Sequence, residues 1–255
     1  MAITFKHSGG FGDIVYAMSI LPKLPTGRFL VAMNNIVNIT REYGYNPDTV
    51  HPYHRPRLLD EDFDNLRPLL ERQSYIESVG KWRTGDPLPD VDLDLFRKIA
   101  WFDPSTSNFL EWYHKLVGLP FDPVADINTN WIQCDPKTIA PVVVSRTERY
   151  VTPAGYKTHK ELYDKNNLKQ NAIFIGTDEE HQAYETNVAP ITRYIVKDYL
   201  DMANVIAGAK TFLGNQTFAY ALAIGTGIQT VLETRKDLPL IRNECYFNRS
   251  NCTYF

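Results

Sequence analysis

The stretch TFLGNQTFAYALAIGTGIQTVL, at positions 211–232, decides the fold because it predicts a complete β-α-β unit of minimal length. Its two ends are apolar runs typical of buried strands, and residues 218–224 predict a short apolar helix between them. Residues 214–217 supply a glycine and capping residues before the helix, and Gly225 and Gly227 end it. A helix that begins at the carboxyl end of a strand presents free N–H groups, and α/β sheets bind phosphate there.

The N-terminal residues form a second unit of the same kind. Residues 3–7 predict a strand, and the sequence SGGFGD at 8–13 predicts a glycine-rich turn. Apolar residues then recur at helical spacing as far as Leu24, with Asp13 expected as the N-cap. A further strand is expected at 28–33, so the chain begins with β-turn-α-β.

The glycine turn does not fit the usual nucleotide-loop patterns. Gly10-x-Gly12 lacks the third glycine of G-x-G-x-x-G, because Asp13 and two apolar residues follow. No acidic residue closes the second strand, where Asn34 stands, and the Gly-Lys-Ser/Thr of a Walker A loop is missing. A nicotinamide oxidoreductase is therefore a disfavoured alternative.

The composition is that of an ordinary globular protein. The chain has 255 residues, 44% hydrophobic and 22% charged, which suits one large domain or two small ones. A formal net charge of -3 gives no general attraction to nucleic acid or membrane. We expect no transmembrane segment and no signal peptide. Three irregularly spaced cysteines indicate no disulfide framework, so a cytoplasmic location is expected.

The rest of the chain predicts two successive α/β series. The first contains a helical region at 61–79 interrupted at Pro68, a helix at 107–117 and a strand at 127–134. The second begins at Pro141 and alternates short strands with helices up to the opening stretch. Its expected strands are at 142–144 and 172–175, and its expected helices are at 160–165, 179–186 and 198–209.

A polar joint at 135–140 separates the two series. It predicts two similar domains, at 1–136 and 137–255, which face each other across a cleft. The aromatic and polar residues at 243–255 show no clear period, and we expect them either to fold back over the first domain or to trail from the second.

Two motifs could suggest a metal. Asp90, Asp92 and Asp94 form a D-x-D pattern, which binds a metal and a sugar diphosphate in one class of glycosyltransferases, but the same residues fit the alternation of a half-exposed strand better. His51-x-x-His54 has no Cys or acidic partner in register, so exposed loop histidines are the simpler interpretation. No bound metal is expected.

Two stretches resemble the heptosyltransferase family of GT-B glycosyltransferases, family 9. They are GDIV at 12–15, heading the first helix, and FLGNQT at 212–217 with the ALA of 221–223. Members of that family carry a Gly-Asp turn, a Gly-Asn-Asp-Ser/Thr-Gly-type turn, a His-Leu-Ala helix core and Gly-x-Pro-Thr-Val. Here GIQTV at 227–231 matches the last element except at the proline.

The late motif departs from the family pattern at two positions. Gln216 stands where the acidic residue is usual, and Tyr220 stands where the histidine is usual. These departures put the donor contacts of that acid and histidine in doubt, and they indicate that the donor sugar can differ.

The resemblance implies a GT-B fold, with an N-terminal acceptor-side and a C-terminal nucleotide-sugar-binding Rossmann-like domain. It implies an inverting, metal-independent glycosyltransferase that needs no cofactor and moves a sugar from a nucleotide-diphospho-sugar to an acceptor hydroxyl, on a saccharide or glycolipid. Two alternatives stay open: transfer to a hydroxylated nucleobase in DNA, and a non-catalytic nucleotide-sugar-binding module.

On the acceptor side, the resemblance implies that Asp13 is the general base, which takes the proton of the attacking hydroxyl. The simpler alternative is that Asp13 only caps its helix. Gly10 and Gly12 would let an acceptor approach the backbone, and their simpler role is a tight turn.

On the donor side, the departing diphosphate suits a helix N-terminus and a cation. We expect Asn215, Gln216 and Thr217 to supply the N-terminal turn. Arg146, at the end of the strand at 142–144, is the expected cation, with an ion pair to an acid such as Glu148 as its alternative. Nucleotide base and ribose are expected near Gly176 and Thr177, with Glu233 as a ribose-hydroxyl ligand.

Overall fold

The computed structural model describes residues 2–33, 58–98, 107–234 and 244–255, so the pair His51 and His54 lies outside the described residues. Its strands are β1 (Ile3–His7), β2 (Gly27–Ala32), β3 (Ile76–Trp82), β4 (Val91–Asp92), β5 (Val142–Ser145), β6 (Ala172–Phe174), β7 (Thr192–Arg193), β8 (Thr211–Asn215), β9 (Gln229–Glu233) and β10 (Cys252–Tyr254). Its α-helices are α1 (Phe11–Ala17), α2 (Asp60–Glu71), α3 (Phe109–Leu116), α4 (Ala125–Asn128), α5 (Pro153–Lys165), α6 (Leu168–Asn171), α7 (Asp178–Asn187), α8 (Tyr199–Ala207) and α9 (Phe218–Thr226). Short 3₁₀ helices lie at Met18–Lys23, Leu93–Lys98 and Glu148–Tyr150.

The described strands form two parallel sheets, as the α/β prediction required. The first has the order β3-β2-β1-β4, and the second has the order β10-β9-β8-β5-β6-β7. All strand pairs within them are parallel. Each sheet therefore gathers its strand carboxyl ends along one edge, and the turns that leave those ends lie side by side.

The unit β8-α9-β9 confirms the prediction made for the opening stretch. Phe212 and Leu213 are buried on opposite faces of β8, which explains the continuous apolar run of a central parallel strand. Thr217 is the N-cap of α9, and its side chain accepts a hydrogen bond from Tyr220 N at 3.2 Å. Gly227 ends the helix with φ 78°, a left-handed conformation that favours glycine.

Three local predictions are corrected. Asp13 is not an N-cap, since α1 begins at Phe11 after Gly10 and places Asp13 inside its first turn. The helix predicted at 61–79 stops at Glu71, because buried Gln73 donates to Leu69 O at 2.7 Å, and the chain then joins the first sheet as β3.

The third correction concerns the strand predicted at 127–134. Only the end of the short helix α4 is regular there, and no strand of the described residues includes this segment. Trp131 N and Ile132 N donate to Gly225 O at 3.0 and 3.1 Å, so the segment packs on α9 instead of entering a sheet.

The helices α1 and α9 pack against each other and join the two sheets into one hydrophobic core. A Cβ added at Gly12 would lie 3.9 Å from Phe218 Cα, so the small residue permits close packing. Phe247, in the C-terminal segment, packs on Tyr16 of α1 with ring centroids 5.5 Å apart. The first sheet ends at β4 and the second starts at β5; the boundary at 136/137 between them stays a prediction.

Candidate active site

An aromatic cluster brings the two predicted turns together. Phe11, Tyr199 and Phe218 are the first residues of α1, α8 and α9. Their ring centroids lie 4.7 Å (Phe11–Tyr199), 5.5 Å (Phe11–Phe218) and 4.7 Å (Tyr199–Phe218) apart. Three helix N-termini therefore converge beside these rings, and each such terminus favours negative charge. Asp13 on one side and the turn at 214–217 on the other flank the cluster.

The turn that carries Asp13 is held by buried polar side chains. Tyr113 Oη donates to Asp13 O at 3.1 Å, and His7 Nε2 lies 2.7 Å from the same hydroxyl. Gly9 N donates to His7 Nδ1 at 2.8 Å. These contacts fix the path of the backbone from β1 into α1.

The D-x-D residues, in and around β4, form hydrogen bonds and ion pairs with β1 and Ser8. Asp90 accepts from Thr4 N and Oγ1, both at 2.8 Å. Asp92 and Asp94 pair with Lys6 Nζ at 2.8 and 3.1 Å, and Asp94 also accepts from Ser8 N at 2.9 Å. These contacts give the pattern a structural role along β1, from Thr4 near its start to Ser8 after its end.

The charges around Asp94 keep this carboxylate ionised. Burial raises the pKa of Asp94, but the adjacent His7 ring, the Ser8 N–H and the charge of Lys6 outweigh burial, so the pKa lies below its usual range. A fixed negative charge therefore lies near the turn of Asp13. Within the described ranges, His, Cys, Asp and Glu side chains nowhere gather in a group of three able to hold a metal ion.

Two side chains, those of Asn215 and Thr217, stabilise the turn that was predicted to bind phosphate. Asn215 is buried, and its amide cross-links β8 to the residue after Arg146: Oδ1 accepts from Thr147 N at 3.0 Å and Nδ2 donates to Thr147 O at 2.7 Å. Thr217 caps α9, as described above. Asn215 thus fixes the turn, and Gln216 and Thr217 follow it into the helix N-terminus.

Cys245, in the C-terminal segment, is buried and is held against α9. Tyr220 Oη donates to Cys245 O at 3.0 Å. Burial raises the pKa of the Cys245 thiol well above its ordinary value, and the charges of Glu244 and Asp13 add to this shift.

Arg146 and Glu233 lie on the same side of the second sheet and form a buried ion pair. Arg146 Nε is 2.6 Å from Glu233 Oε2, and both side chains are 1% exposed. The guanidinium also stacks on the Tyr156 ring at 4.0 Å, and its Nη1 lies 3.6 Å from Glu148. The structure therefore shows the ion-pair alternative for Arg146, although with Glu233 as the main partner.

The remaining groups around Glu233 come from α5 and from its N-cap residue, Thr152. Thr152 N donates to Glu233 Oε1 at 3.1 Å, and His159 Nε2 lies 3.4 Å from Oε2. A Cβ at Gly155 would lie 1.6 Å from Oε1, so only glycine leaves room for this carboxylate. Both Glu233 oxygens are thus engaged within the fold, and ribose binding by Glu233 stays a prediction.

Gly176 and Thr177 lie at the carboxyl end of β6. Thr177 caps α7 in a capping box with Glu180, and Arg193 Nη2 donates to Gly176 O at 2.9 Å. This turn lies on the same edge of the second sheet as Arg146 and Asn215, two strands from β8. Its role toward a nucleotide stays a prediction.

The two glycines predicted on the acceptor side differ in their surroundings. A Cβ at Gly10 would meet nothing within 4 Å, so its backbone is open to an approaching group. Gly12 faces α9 and serves helix packing.

The sequence analysis did not predict the roles of His7 and Tyr113. His7 could have been found, because it is a polar residue at the end of an apolar strand. Tyr113 has no local signal, since it lies 100 residues from Asp13 in the sequence.

Comparison of the coordinates with solved structures identifies the fold. The chain matches a glycosyl transferase family 9 structure from Veillonella parvula with TM-score 0.61 and 9% identity, covering 99% of this chain and 85% of that one. It matches E. coli heptosyltransferase WaaC with ADP-2-deoxy-2-fluoro heptose with TM-score 0.53 and 11% identity, covering 100% and 93%.

A third match is the iron-containing dodecameric glycosyltransferase TibC from enterotoxigenic E. coli, with TM-score 0.55 and 15% identity, covering 99% of this chain and 62% of that one. No family model matches the sequence, and no curated protein matches it by sequence.

The chain therefore has the two-sheet GT-B fold of these glycosyltransferase structures. Its structural resemblance is to family 9 and the heptosyltransferases, as the two motifs predicted. Among the helices described above, none combines the length and apolar character that crossing a membrane needs.

Proposed function

We propose that the protein is a glycosyltransferase that moves a sugar from a nucleotide-diphospho-sugar to an acceptor hydroxyl. The observation that carries this proposal is the contact of Phe11 with Phe218, which brings Asp13 and the N-terminus of α9 to one place. A base and an anion-stabilising helix terminus are the two parts that such a reaction needs.

The chemistry follows from the two parts. The acceptor hydroxyl oxygen attacks the anomeric carbon, and Asp13 takes the hydroxyl proton as the new C–O bond forms. The bond from the anomeric carbon to the phosphate oxygen breaks, and its electron pair leaves with the nucleoside diphosphate. The N–H groups at the start of α9 and the Thr217 hydroxyl stabilise that negative charge. Attack from the face opposite the diphosphate inverts the anomeric configuration.

The donor-side residues are assigned by their place at the start of α9, where Gln216 and the N-cap Thr217 lead into the helix. Gln216 and Thr217 contact the diphosphate at the N-terminus of α9, and Asn215 holds their turn in place. The Arg146 guanidinium is paired with Glu233, so its part in the donor site is to fix the chain after β5, beside the turn that follows β8. Gly176 and Thr177 lie on the nucleoside side of the same sheet edge.

An ADP-activated sugar is the first donor to test, since the WaaC structure holds ADP-2-deoxy-2-fluoro heptose. The acceptor is a saccharide or glycolipid. Catalysis needs no metal in this scheme, although TibC is iron-containing. Treatment with a chelator before the assay tests that point, and loss of turnover that iron restores would overturn it.

The experiment begins with a thermal-shift screen against ADP, UDP, GDP, CMP, dTDP, NAD and NADP. A ligand that binds only the folded state raises the melting temperature by mass action. Release of nucleoside diphosphate from the matching sugar donor is then measured with wild type and Asp13→Asn. The variant should keep nucleotide binding and lose turnover by about a hundredfold or more.

The outcomes separate the candidate functions. A shift with NAD or NADP alone would replace the proposal with an oxidoreductase. Nucleotide binding without turnover in the wild type, over a panel of saccharides, glycolipids and hydroxymethylated DNA, would favour the non-catalytic module. Turnover on the DNA alone would keep the transferase and change the acceptor class.

A further inference from the structure

One buried histidine and its tyrosine neighbour hold both ends of the turn that carries Asp13. Tyr113 Oη lies 3.1 Å from Asp13 O and 2.7 Å from His7 Nε2. A carbonyl oxygen only accepts, so the hydroxyl proton goes to Asp13 O, and His7 Nε2–H donates to Tyr113. Gly9 N–H donates to His7 Nδ1, which must accept. A single neutral tautomer of His7 therefore satisfies all these contacts.

The rings of His7 and Tyr113 are fully buried. His7 and Tyr113 are both 0% exposed, and Phe96 packs against them, with ring centroids 6.4 and 4.7 Å away. Tyr113 lies on α3, a different element from the turn it holds. A buried hydrogen bond between elements fixes their relative position better than a local contact does, because breaking it leaves polar groups without partners.

Gly9 sets the position of the Asp13 side chain itself. A Cβ at Gly9 would lie 2.9 Å from Asp13 Oδ2 and 2.6 Å from His7 Cε1. The carboxylate therefore lies directly against the Gly9 backbone, beside the His7 ring. Since His7 is held by two hydrogen bonds, a methyl group at this position would displace the carboxylate of Asp13.

We propose that Tyr113, His7 and Gly9 are positioning residues for Asp13. They hold the carboxylate where the acceptor hydroxyl must deliver its proton, without touching the donor. This inference rests on the proposed function. A displacement of about 1 Å at a reacting group can cost about a hundredfold in rate while substrate binding is retained.

The test compares Tyr113→Phe with Tyr75→Phe. Each change removes one buried hydroxyl that donates to a backbone carbonyl, since Tyr75 Oη lies 2.6 Å from Trp131 O. Tyr75 does not contact the turn of Asp13, so it controls for the loss of a buried hydrogen bond. The readouts are the Kd for ADP by calorimetry and the kcat for ADP release from ADP-heptose, or the corresponding pair that the thermal-shift screen selects.

We expect Tyr113→Phe to lower kcat by about tenfold to a hundredfold with an unchanged Kd for the nucleotide, and Tyr75→Phe to change neither. Gly9→Ala removes no hydrogen-bonding group, and it should likewise lower kcat and leave the Kd for the nucleotide unchanged. If both Tyr113→Phe and Gly9→Ala keep the wild-type kcat, the positioning role is overturned while the proposed function stands. If the wild type neither binds a nucleotide nor releases one, both are overturned.

Discussion

The Arg146 guanidinium and the Glu233 carboxylate form a buried ion pair at the carboxyl edge of the second sheet, with Nε 2.6 Å from Oε2 and Nη2 3.1 Å from Oε1. Arg146 follows β5 directly, Glu233 is the last residue of β9, and β8 lies between those strands. The pair therefore links the ends of β5 and β9 across β8, the strand that leads into the turn at 214–217.

Removing one charge of this pair should be costly. Glu233→Gln leaves the Arg146 charge buried without its counter-charge, and we expect a loss of about 3 kcal/mol in the free energy of unfolding, measured in urea. Glu161→Gln is the matched control, because its pair with Lys157 is exposed and should contribute less than about 0.5 kcal/mol. Equal losses in the free energy of unfolding for the two variants would contradict a larger contribution of the buried pair. A raised Kd for ADP in folded Glu233→Gln would instead support the predicted ribose contact.

Acidification should destabilise the protein through His159. Burial lowers the pKa of His159, and the Arg146 charge also lowers it, although Glu233 opposes this shift. The unfolded chain therefore takes up the histidine proton first, and stability falls as pH drops below the unfolded value of about 6.5. Protonation of Glu233 should also destabilise the fold, at lower pH. Burial raises the pKa of Glu233, but His159 and Arg146 hold it below the ordinary value, so the unfolded chain takes up this proton first.

The measurement is urea unfolding between about pH 7.5 and about pH 5 for the wild type and His159→Gln. The variant should show a shallower loss of stability over this range. A residual slope is expected from His114, whose pKa is lowered mainly by burial. An identical slope in the variant and the wild type would contradict the role given to His159.

The sequence predicted the β-α-β units at 3–33 and 211–232 because their signals are local. A strand, a glycine turn and a capped helix are each specified within a few residues, as Thr217 and Gly227 illustrate. The family resemblance rested on the same two stretches, and the fold confirms it at 9% identity to a family 9 structure. Local signals placed the elements of both units, but the N-cap predicted at Asp13 was wrong, because α1 begins at Phe11 without a side-chain cap.

One wrong prediction came from contacts between distant residues. The strand expected at 127–134 is absent there because its backbone bonds to Gly225, about one hundred positions away in the sequence numbering. The sequence also did not predict the partners of Glu233, which are Arg146 just after β5 and His159 of α5, and its ribose contact stays a prediction. Polar residues at strand ends look alike in sequence, and only the fold distinguishes those that pair with each other.

The N-terminus of α9 offers the most direct test of the donor site. Thr217→Ala removes the side-chain acceptor for Tyr220 N, so we expect a loss of about 1 kcal/mol in unfolding free energy. The hydroxyl is also proposed to contact the diphosphate, so the Kd for ADP should rise by about fivefold, equivalent to roughly 1 kcal/mol. Asn108→Ala is the control, since Asn108 caps α3 by accepting from Glu111 N at 3.1 Å, away from the second sheet. Similar losses of stability in both variants, with weaker ADP binding only in Thr217→Ala, would support the donor site. Equal ADP affinity in the two variants would show that the diphosphate does not bind at this helix terminus.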